Sequence, residues 1–74
     1  MPNTLCIKVP KNQGEKALTL ANKLGLIDKS LSIQRDENQL YIPLIRKPED
    51  SELETLNQVS NLQLTTVNFT EKKP

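Results

Sequence analysis

The stretch "NQLYIPLIRK", residues 38–47, decides the fold of this 74-residue chain. Side chains of a β-strand alternate between its two faces, so this stretch has two largely apolar faces. The first face consists of Leu40, Ile42 and Leu44. The second face consists of Tyr41, Pro43 and Ile45. A strand of this kind needs a packed layer on its first face and leaves open what its second face meets.

Three further strands are predicted around this one. Residues 4–10 alternate until Pro10 stops the run, and residues 31–35 alternate before the turn-forming residues 36–38. The latter run and residues 39–44 therefore form a hairpin, with Leu31 and Ile33 sharing the core face. Residues 62–69 are rich in β-branched side chains and predict the last strand.

Two helices are predicted between these strands. Asn12, with a glutamate three residues later, forms a capping box that starts the first helix, and Gly25 ends it in a left-handed conformation. The second helix starts either with Pro48 in its first turn or with Ser51 as N-cap, and it ends near Asn61. The core faces of the helices are Ala17, Leu20, Ala21 and Leu24 in the first, and Leu53 and Leu56 in the second.

The order β-α-β-β-α-β predicts an α+β domain, a two-layer α/β sandwich in which two helices cover one face of a four-stranded mixed sheet. In the commonest strand order of this plan the third strand is central, where Pro43 would remove a ladder donor. Either Pro43 lies past the end of its neighbour or the strand order differs, so the order stays open. We expect one domain over residues 1–69 and a tail or interdomain linker over residues 70–74.

Composition argues against several functions. The chain has one Cys and no His, which excludes an internal disulfide and leaves no cluster with metal-ligand spacing. It also lacks a Gly-rich phosphate loop and a G-x-S-x-G turn, so independent enzymatic activity is not expected. Cys6 lies in an apolar run and is expected to be a buried, unreactive side chain. No signal peptide or membrane-spanning run is recognisable, so we expect a cytoplasmic location and no membrane partner.

Charge is unevenly distributed along the chain. Ten cations face nine anions, but four of the anions lie in residues 49–54, which leaves five anions against ten cations elsewhere. Such a polarised domain can present a basic side to nucleic acid while its net charge is only +1. The competing interpretation is an ordinary solvated surface with an acidic helix start.

The second sheet face combines an aromatic ring, apolar groups and at least one cation. This chemistry suits a flat partner such as an exposed base pair, with basic side chains on neighbouring phosphates. The residues alone do not separate this from an interpretation in which Tyr41 merely covers sheet surface. An RNA-recognition domain of the ribonucleoprotein type needs two or three aromatics here, and the chain offers one. The candidate RNA-binding residues are Tyr41, Pro43, Lys8, Ile45, Lys11, Arg35, Arg46 and Lys47.

Four short motifs occur in an order that resembles a known family. They are the strand "CIKV" at 6–9, the helix entry K-x-x-GE at 11–15, the helix exit "LIDK" at 26–29, and the strand motif Y-x-P at 41–43. Together they resemble the N-terminal domain of the archaeal and eukaryotic tRNA (guanine-37-N1)-methyltransferases. The likeness covers residues 1 to about 45 well and continues more weakly to about 69; its specificity lies in the order and spacing of the motifs.

The resemblance implies a role for the chain and for the parts of the enzyme outside it. The parent enzyme transfers a methyl group from S-adenosylmethionine to the guanosine 3′ of the anticodon, and its catalytic and cofactor residues lie in later domains. The N-terminal domain contacts the tRNA elbow, where the D and T loops meet, and checks the intact L-shape. This chain is then a monomeric tRNA-binding accessory domain without cofactor, which works with a catalytic domain in cis or in trans. The alternative is a protein-interaction or dimerisation module that uses the same open sheet face.

Overall fold

The computed structural model describes residues 3–69 and has the predicted β-α-β-β-α-β order, which confirms the α+β class. A short 3-10 turn, Lys11–Gln13, leads into the first helix. The elements are β1 (Thr4–Pro10), α1 (Gly14–Lys23), β2 (Gln34–Arg35), β3 (Gln39–Pro43), α2 (Asp50–Leu56) and β4 (Gln63–Val67). The predicted tail, residues 70–74, lies outside the described residues.

The four strands form one sheet in the order β2-β3-β1-β4, and every neighbouring pair is antiparallel. The prediction of a mixed sheet is therefore wrong. The reason is that each helix carries the chain past one intervening strand. α1 joins β1 to β2 with β3 between them, and α2 joins β3 to β4 with β1 between them. Strands that run in the same direction are thus never neighbours.

Pro43 lies at the end of a central strand without breaking its ladder. The backbone N–H of Leu44 donates to the carbonyl oxygen of Leu5 at 3.0 Å, so the nitrogen of Pro43 points away from β1. The nitrogen of Pro43 therefore faces the edge of β3 that pairs with β2. The last pair that β2 makes with that edge is Gln34–Tyr41, so β2 ends before it reaches Pro43. The carbonyl oxygen of Pro43 accepts instead from the backbone N–H of Asp28 at 2.9 Å. Of the two alternatives left open by the sequence, the first is correct: Pro43 lies past the end of its neighbour.

The core lies between the two helices and one face of the sheet. The predicted members Ala17 and Ala21 of α1 and Leu56 of α2 are fully buried there. The buried members of this cluster are Ile7, Val9, Ala17, Ala21, Leu26, Leu40, Ile42, Leu44, Leu56 and Val59. Leu31 and Ile33 are only half-buried, because the chain joins the ladder of β3 at Gln34 and not at residue 31 as predicted.

The end of α1 was predicted correctly and its start was not. Gly25 has a φ of 70°, and the backbone N–H of Leu26 donates to the carbonyl oxygen of Ala21 at 3.0 Å, which completes a Schellman motif. Asn12 lies inside the 3-10 turn, and no side chain caps α1. The turn replaces the predicted capping box, because it carries the chain directly from Pro10 into the helix.

Both predicted starts of α2 are wrong, since the residue before the helix is Glu49. Its backbone N–H donates to the carboxylate of Glu52 at 2.9 Å, so a capping box of the predicted kind is built two residues before the position where Ser51 would have placed it. The helix ends at Leu56 rather than near Asn61, which has a φ of 61° in the turn before β4.

Within residues 3–69 neither helix has the length and apolar character needed to cross a membrane. In the same part of the chain, no group of three or more His, Cys, Asp or Glu side chains is arranged to hold a metal ion.

Candidate nucleic-acid interface

One row of four side chains crosses the sheet face that lies opposite the helices. Directly paired residues point to the same face, and the pairs Gln34–Tyr41, Tyr41–Lys8 and Lys8–Gln63 join all four strands in one line. We call these four residues the Tyr41 row. With a strand spacing of about 4.8 Å, the row spans about 14 Å. Gln63 is exposed and the other three are half-buried, so the row is accessible from solvent.

Within this row, Lys8 and Tyr41 are the closest pair. The backbone hydrogen bond from Leu44 to Leu5 makes these two residues a hydrogen-bonded pair. Hydrogen-bonded and non-hydrogen-bonded pairs alternate along the ladder, so Lys8 and Tyr41, three pairs further on, form a non-hydrogen-bonded pair. In such pairs the Cα atoms lie about 4.5 Å apart and the side chains approach closely. A cation beside an aromatic ring offers a stacking surface and a phosphate partner at one point of the sheet.

The same sheet face is covered next to the Tyr41 row. Cys6 and Pro43 form the adjacent pair along β1 and β3, and both are fully buried although the helices lie on the opposite face. The side-chain amide of Gln34 donates to the carbonyl oxygen of Asn68 at 3.0 Å, so Asn68 lies over this face. Phe69 follows directly and is only 6% exposed. We call Asn68–Phe69 the strap.

The strap corrects the expectation of a wholly open second face. Pro43 was predicted as a contact residue, but its side chain is buried and offers no contact surface. Alternation placed Pro43 on the correct face; it could not reveal that Asn68 lies over that face. Burial also raises the pKa of the Cys6 thiol to about 11, in accord with its prediction as a buried side chain.

Among residues 3–69, Ile45 is the most exposed large apolar side chain, at 57%. Its backbone N–H donates to the carbonyl oxygen of Leu26 at 2.8 Å, which fixes it beside the end of α1. The buried Pro43 lies between Ile45 and Tyr41 along the chain, so the three predicted contact residues do not form one continuous apolar surface.

Lys11 and Arg35 lie apart from the Tyr41 row. Arg35 is paired with Leu40, whose side chain points into the core, so Arg35 belongs to the helix side of the sheet edge. Both cations line an open groove of about 450 Å³ between the hairpin and the start of α1. Glu15 lines the same groove, so the two cations are accompanied by an anion.

Arg46 is engaged within the domain. Its two terminal guanidinium nitrogens donate to the two carboxylate oxygens of Glu52 at 2.7 and 2.8 Å. This bond, followed by the backbone N–H of Glu49, lowers the pKa of Glu52 from 4.5 to about 2. The Glu52 bond raises the pKa of Arg46. The arginine therefore helps to hold the start of α2, whereas the neighbouring Lys47 is exposed.

Two residues of the row, Gln34 and Gln63, were not among the predicted site residues. Alternation along β2 and β4 places them on this face, but an amide has no charge or ring to single it out. Their position became informative only when the strand register joined them to Tyr41 and Lys8.

Two grooves of about 480 and 450 Å³ lie beside α1, and both are open. The two grooves beside α1 do not fit S-adenosylmethionine, the cofactor implied by the resemblance. A cofactor of that kind would bind in a largely enclosed, mostly apolar pocket.

Three solved structures show the same fold. The domain superposes on Trm5 of Methanocaldococcus jannaschii, solved in complex with adenosine, with a TM-score of 0.79 at 25% identity, over 92% of this chain and 21% of that one. On Trm5b of Pyrococcus abyssi it superposes with a TM-score of 0.72 at 24% identity, over 96% of this chain and 18% of that one. On aTrm5 in a complex with tRNALeu it superposes with a TM-score of 0.66 at 25% identity, over 86% of this chain and 18% of that one. The chain thus spans about a fifth of the length of these proteins.

No curated protein sequence matches the chain significantly. The family model that describes the N-terminal domain of tRNA methyltransferase 5 does match, over residues 6–52, which is more than half of the chain. Both the matched sequence and the shared fold agree with the resemblance drawn from the four motifs, and the chain belongs to the tRNA methyltransferase 5 N-terminal domain family.

Proposed function

We propose that this domain binds tRNA at the elbow and checks the intact L-shape, while other parts of a tRNA (guanine-N1)-methyltransferase methylate the guanosine 3′ of the anticodon. S-adenosylmethionine serves those other parts, and the domain supplies recognition only. It works as a monomer in the cytoplasm, with a catalytic domain joined in cis or bound in trans.

The observation that carries the proposal is the Tyr41 row, together with membership of the family. The row presents one ring, one ammonium group and two amides on a flat surface about 14 Å wide. A tertiary base pair exposed at the corner of tRNA is flat and is flanked by phosphates. A ring can stack on such a pair, while Lys8 and the amides can bond phosphate and sugar oxygens.

The surface also predicts that the isolated domain binds weakly. Lys8 is the one cation of the Tyr41 row, and Arg46 is paired with Glu52. Few phosphate contacts give a small and salt-sensitive affinity. The domain would then contribute selectivity to a larger enzyme rather than most of its affinity.

An NMR titration of the labelled chain tests this function. Intact tRNA should shift the backbone amides of Gln34, Tyr41, Lys8 and Gln63, and an isolated anticodon stem-loop should leave them unchanged. A tRNA whose D-loop and T-loop tertiary pairs are disrupted by mutation is the matched control and should also fail to shift them. Equal shifts with all three RNAs would contradict docking at the elbow.

Sedimentation at several concentrations tests the competing use of the same face. A monomer is expected throughout. A dimer in which the amide resonances of the Tyr41 row move with concentration, together with no response to tRNA, would favour a dimerisation module instead.

A further inference from the structure

The side-chain amide of Gln34 has a fixed orientation at the β2 end of the Tyr41 row. Its Nε2 donates to the carbonyl oxygen of Asn68 at 3.0 Å. A carbonyl oxygen only accepts hydrogen bonds, so the amide atom that faces Asn68 has to be the nitrogen. The nitrogen and the oxygen of a planar amide lie on different sides of one carbon, so this bond turns the oxygen, Oε1, away from Asn68. Gln34 is only half-buried, so a partner can reach the side chain that presents this acceptor.

Tyr41 lies between this acceptor and a donor. The backbone N–H of Asp36 donates to the carbonyl oxygen of Gln39 at 2.9 Å, which makes these two residues a hydrogen-bonded pair. Such pairs alternate with non-hydrogen-bonded ones, so Gln34 and Tyr41, two pairs further on, are hydrogen-bonded as well, with Cα atoms about 5.5 Å apart. On the other side of Tyr41 lies Lys8, whose ammonium group donates and cannot accept. The ring therefore has an amide oxygen on one side and an ammonium group on the other.

We infer that Gln34 selects the hydrogen-bond donor of the nucleotide that lies on Tyr41, a role that rests on the proposed function. The oxygens of a phosphate are acceptors, so a phosphate suits Lys8 and is unsuited to Oε1 of Gln34. An N–H or O–H group suits Oε1. An RNA nucleotide offers two such donors, the ribose 2′-hydroxyl and the exocyclic amino group of the base. The two neighbours of the ring thus fix which way round the nucleotide lies.

Gln63 carries the same amide at the other end of the row and is the matched control. Gln63 is exposed on β4, whereas Gln34 is held by Asn68 before any partner arrives. A group that is held in place beforehand loses less conformational freedom on binding. A fixed acceptor that meets no donor also costs binding free energy, because it has lost its water without gaining a partner. We therefore expect the selection at Gln34.

Chemical changes in the RNA test this role with the unaltered protein. An intact tRNA is assembled from synthetic strands in which one nucleotide of the D loop or T loop at a time is replaced. The replacement is either the 2′-deoxy form or a base that lacks the exocyclic amino group, such as inosine for guanosine. One replacement should weaken binding about two- to tenfold in fluorescence anisotropy, the effect of one lost hydrogen bond. A loss with the 2′-deoxy form identifies the ribose as the donor, and a loss with the altered base identifies the amino group.

Two protein variants assign that loss to one side chain. Gln34→Met keeps the length of the side chain and removes the amide, so the sensitive replacement should cost this variant no further affinity. Gln63→Met should still lose the full factor. A purely structural role of Gln34 would weaken binding to every tRNA alike and leave the sensitivity in place. Gln34 lies outside the core cluster, and Gln34→Val, which suits a strand, can stand in if Gln34→Met does not fold.

Two outcomes would overturn the selection by Gln34. The first is a sensitivity that persists undiminished in the Gln34 variant, and the second is unaltered protein that binds intact tRNA without any sensitive position. Failure of the proposed function looks different, because intact tRNA would then shift none of the backbone amides of the Tyr41 row. If those amides shift and no replacement discriminates, docking stands and selection by Gln34 does not.

Discussion

Lys8 and Tyr41 lie directly opposite each other on the two central strands, as a non-hydrogen-bonded pair on the face away from the helices. They lie 33 residues apart in the sequence, with α1 and β2 between them. Their juxtaposition depends on the register of β1 against β3, which the same ladder fixes through Ile7 and Ile42 in the core. The core register therefore sets the geometry of the candidate site.

Replacing Tyr41 by Leu should weaken binding to intact tRNA. Leucine keeps apolar cover on the sheet but removes the ring, and loss of base stacking costs about 1–3 kcal/mol. Tyr41→Phe keeps the ring and should bind close to the unchanged protein. Fluorescence anisotropy with labelled tRNA would measure both. Equal affinities for the leucine and phenylalanine variants would show that stacking on this ring has no part in binding.

Replacing Lys8 by Gln should change how tRNA binding depends on salt. Loss of one phosphate contact lowers the slope of log affinity against log salt concentration by about 0.7–0.9. Lys23→Gln is a matched control, because Lys23 is exposed at the end of α1, on the helix side of the sheet. If both variants lower the slope equally, the attraction is diffuse and does not identify the Tyr41 row.

Glu52→Gln should remove part of the acid sensitivity of the fold. The pKa of Glu52 is depressed from 4.5 to about 2 by Arg46 and by the backbone N–H of Glu49. A group whose pKa is depressed on folding contributes stability fully above its unfolded pKa, and this contribution is lost as pH falls toward the folded pKa. The loss should therefore occur between about pH 4.5 and pH 2.

Urea unfolding at several pH values from 2 to 7 would measure this contribution. The variant should be less stable than the unchanged protein at pH 7, and the difference should shrink toward pH 2. Glu54→Gln, at an exposed position of the same helix, is the control. A difference that stays constant with pH would mean that the charge of Glu52 contributes nothing through its bond to Arg46.

Gly25→Ala should destabilise the domain although there is room for a methyl group. A Cβ at this position would have no neighbour within 4 Å, so any loss comes from the backbone φ of 70°. A non-glycine residue in this region costs about 1–2 kcal/mol. Urea unfolding would measure it, and Gly25→Asn should lose less because Asn tolerates this conformation. An unchanged stability for the alanine variant would contradict the assigned backbone strain.

The sequence predicted the order of the elements and about half of the named core residues, because both depend on local periodicity. Alternation in residues 38–47 identified Leu40, Ile42 and Leu44 as core residues, and all three are buried. Gly25 ended α1 as predicted, because a left-handed residue after an apolar helix face is a strong local signal. The start of α2 was misjudged, because Pro48, Glu49 and Ser51 lie within four residues and each can begin a helix. Only the position of Arg46 favours Glu49.

The candidate site was only partly predictable, because its shape depends on contacts between distant residues. Tyr41 and Lys8 were assigned to one face by alternation, and the ladder places them together there. Pro43 is buried on the face over which Asn68 lies, and periodicity contains no information about such a contact between distant residues. Arg46 was predicted as an RNA-binding residue, because the sequence pattern does not reveal its pairing with Glu52.

The position of β1 between β3 and β4 has a consequence for the synthesis of the protein. Ile7 is paired with Leu64, near the other end of the chain, so the central strand has one bare edge until the last strand leaves the ribosome. Non-local pairing of this kind slows folding, and unpaired strand edges are open to association with other chains. We therefore expect the nascent domain to complete its sheet only after β4 has been made. The pairing of β4 with β1 is then the step that commits the chain to its fold.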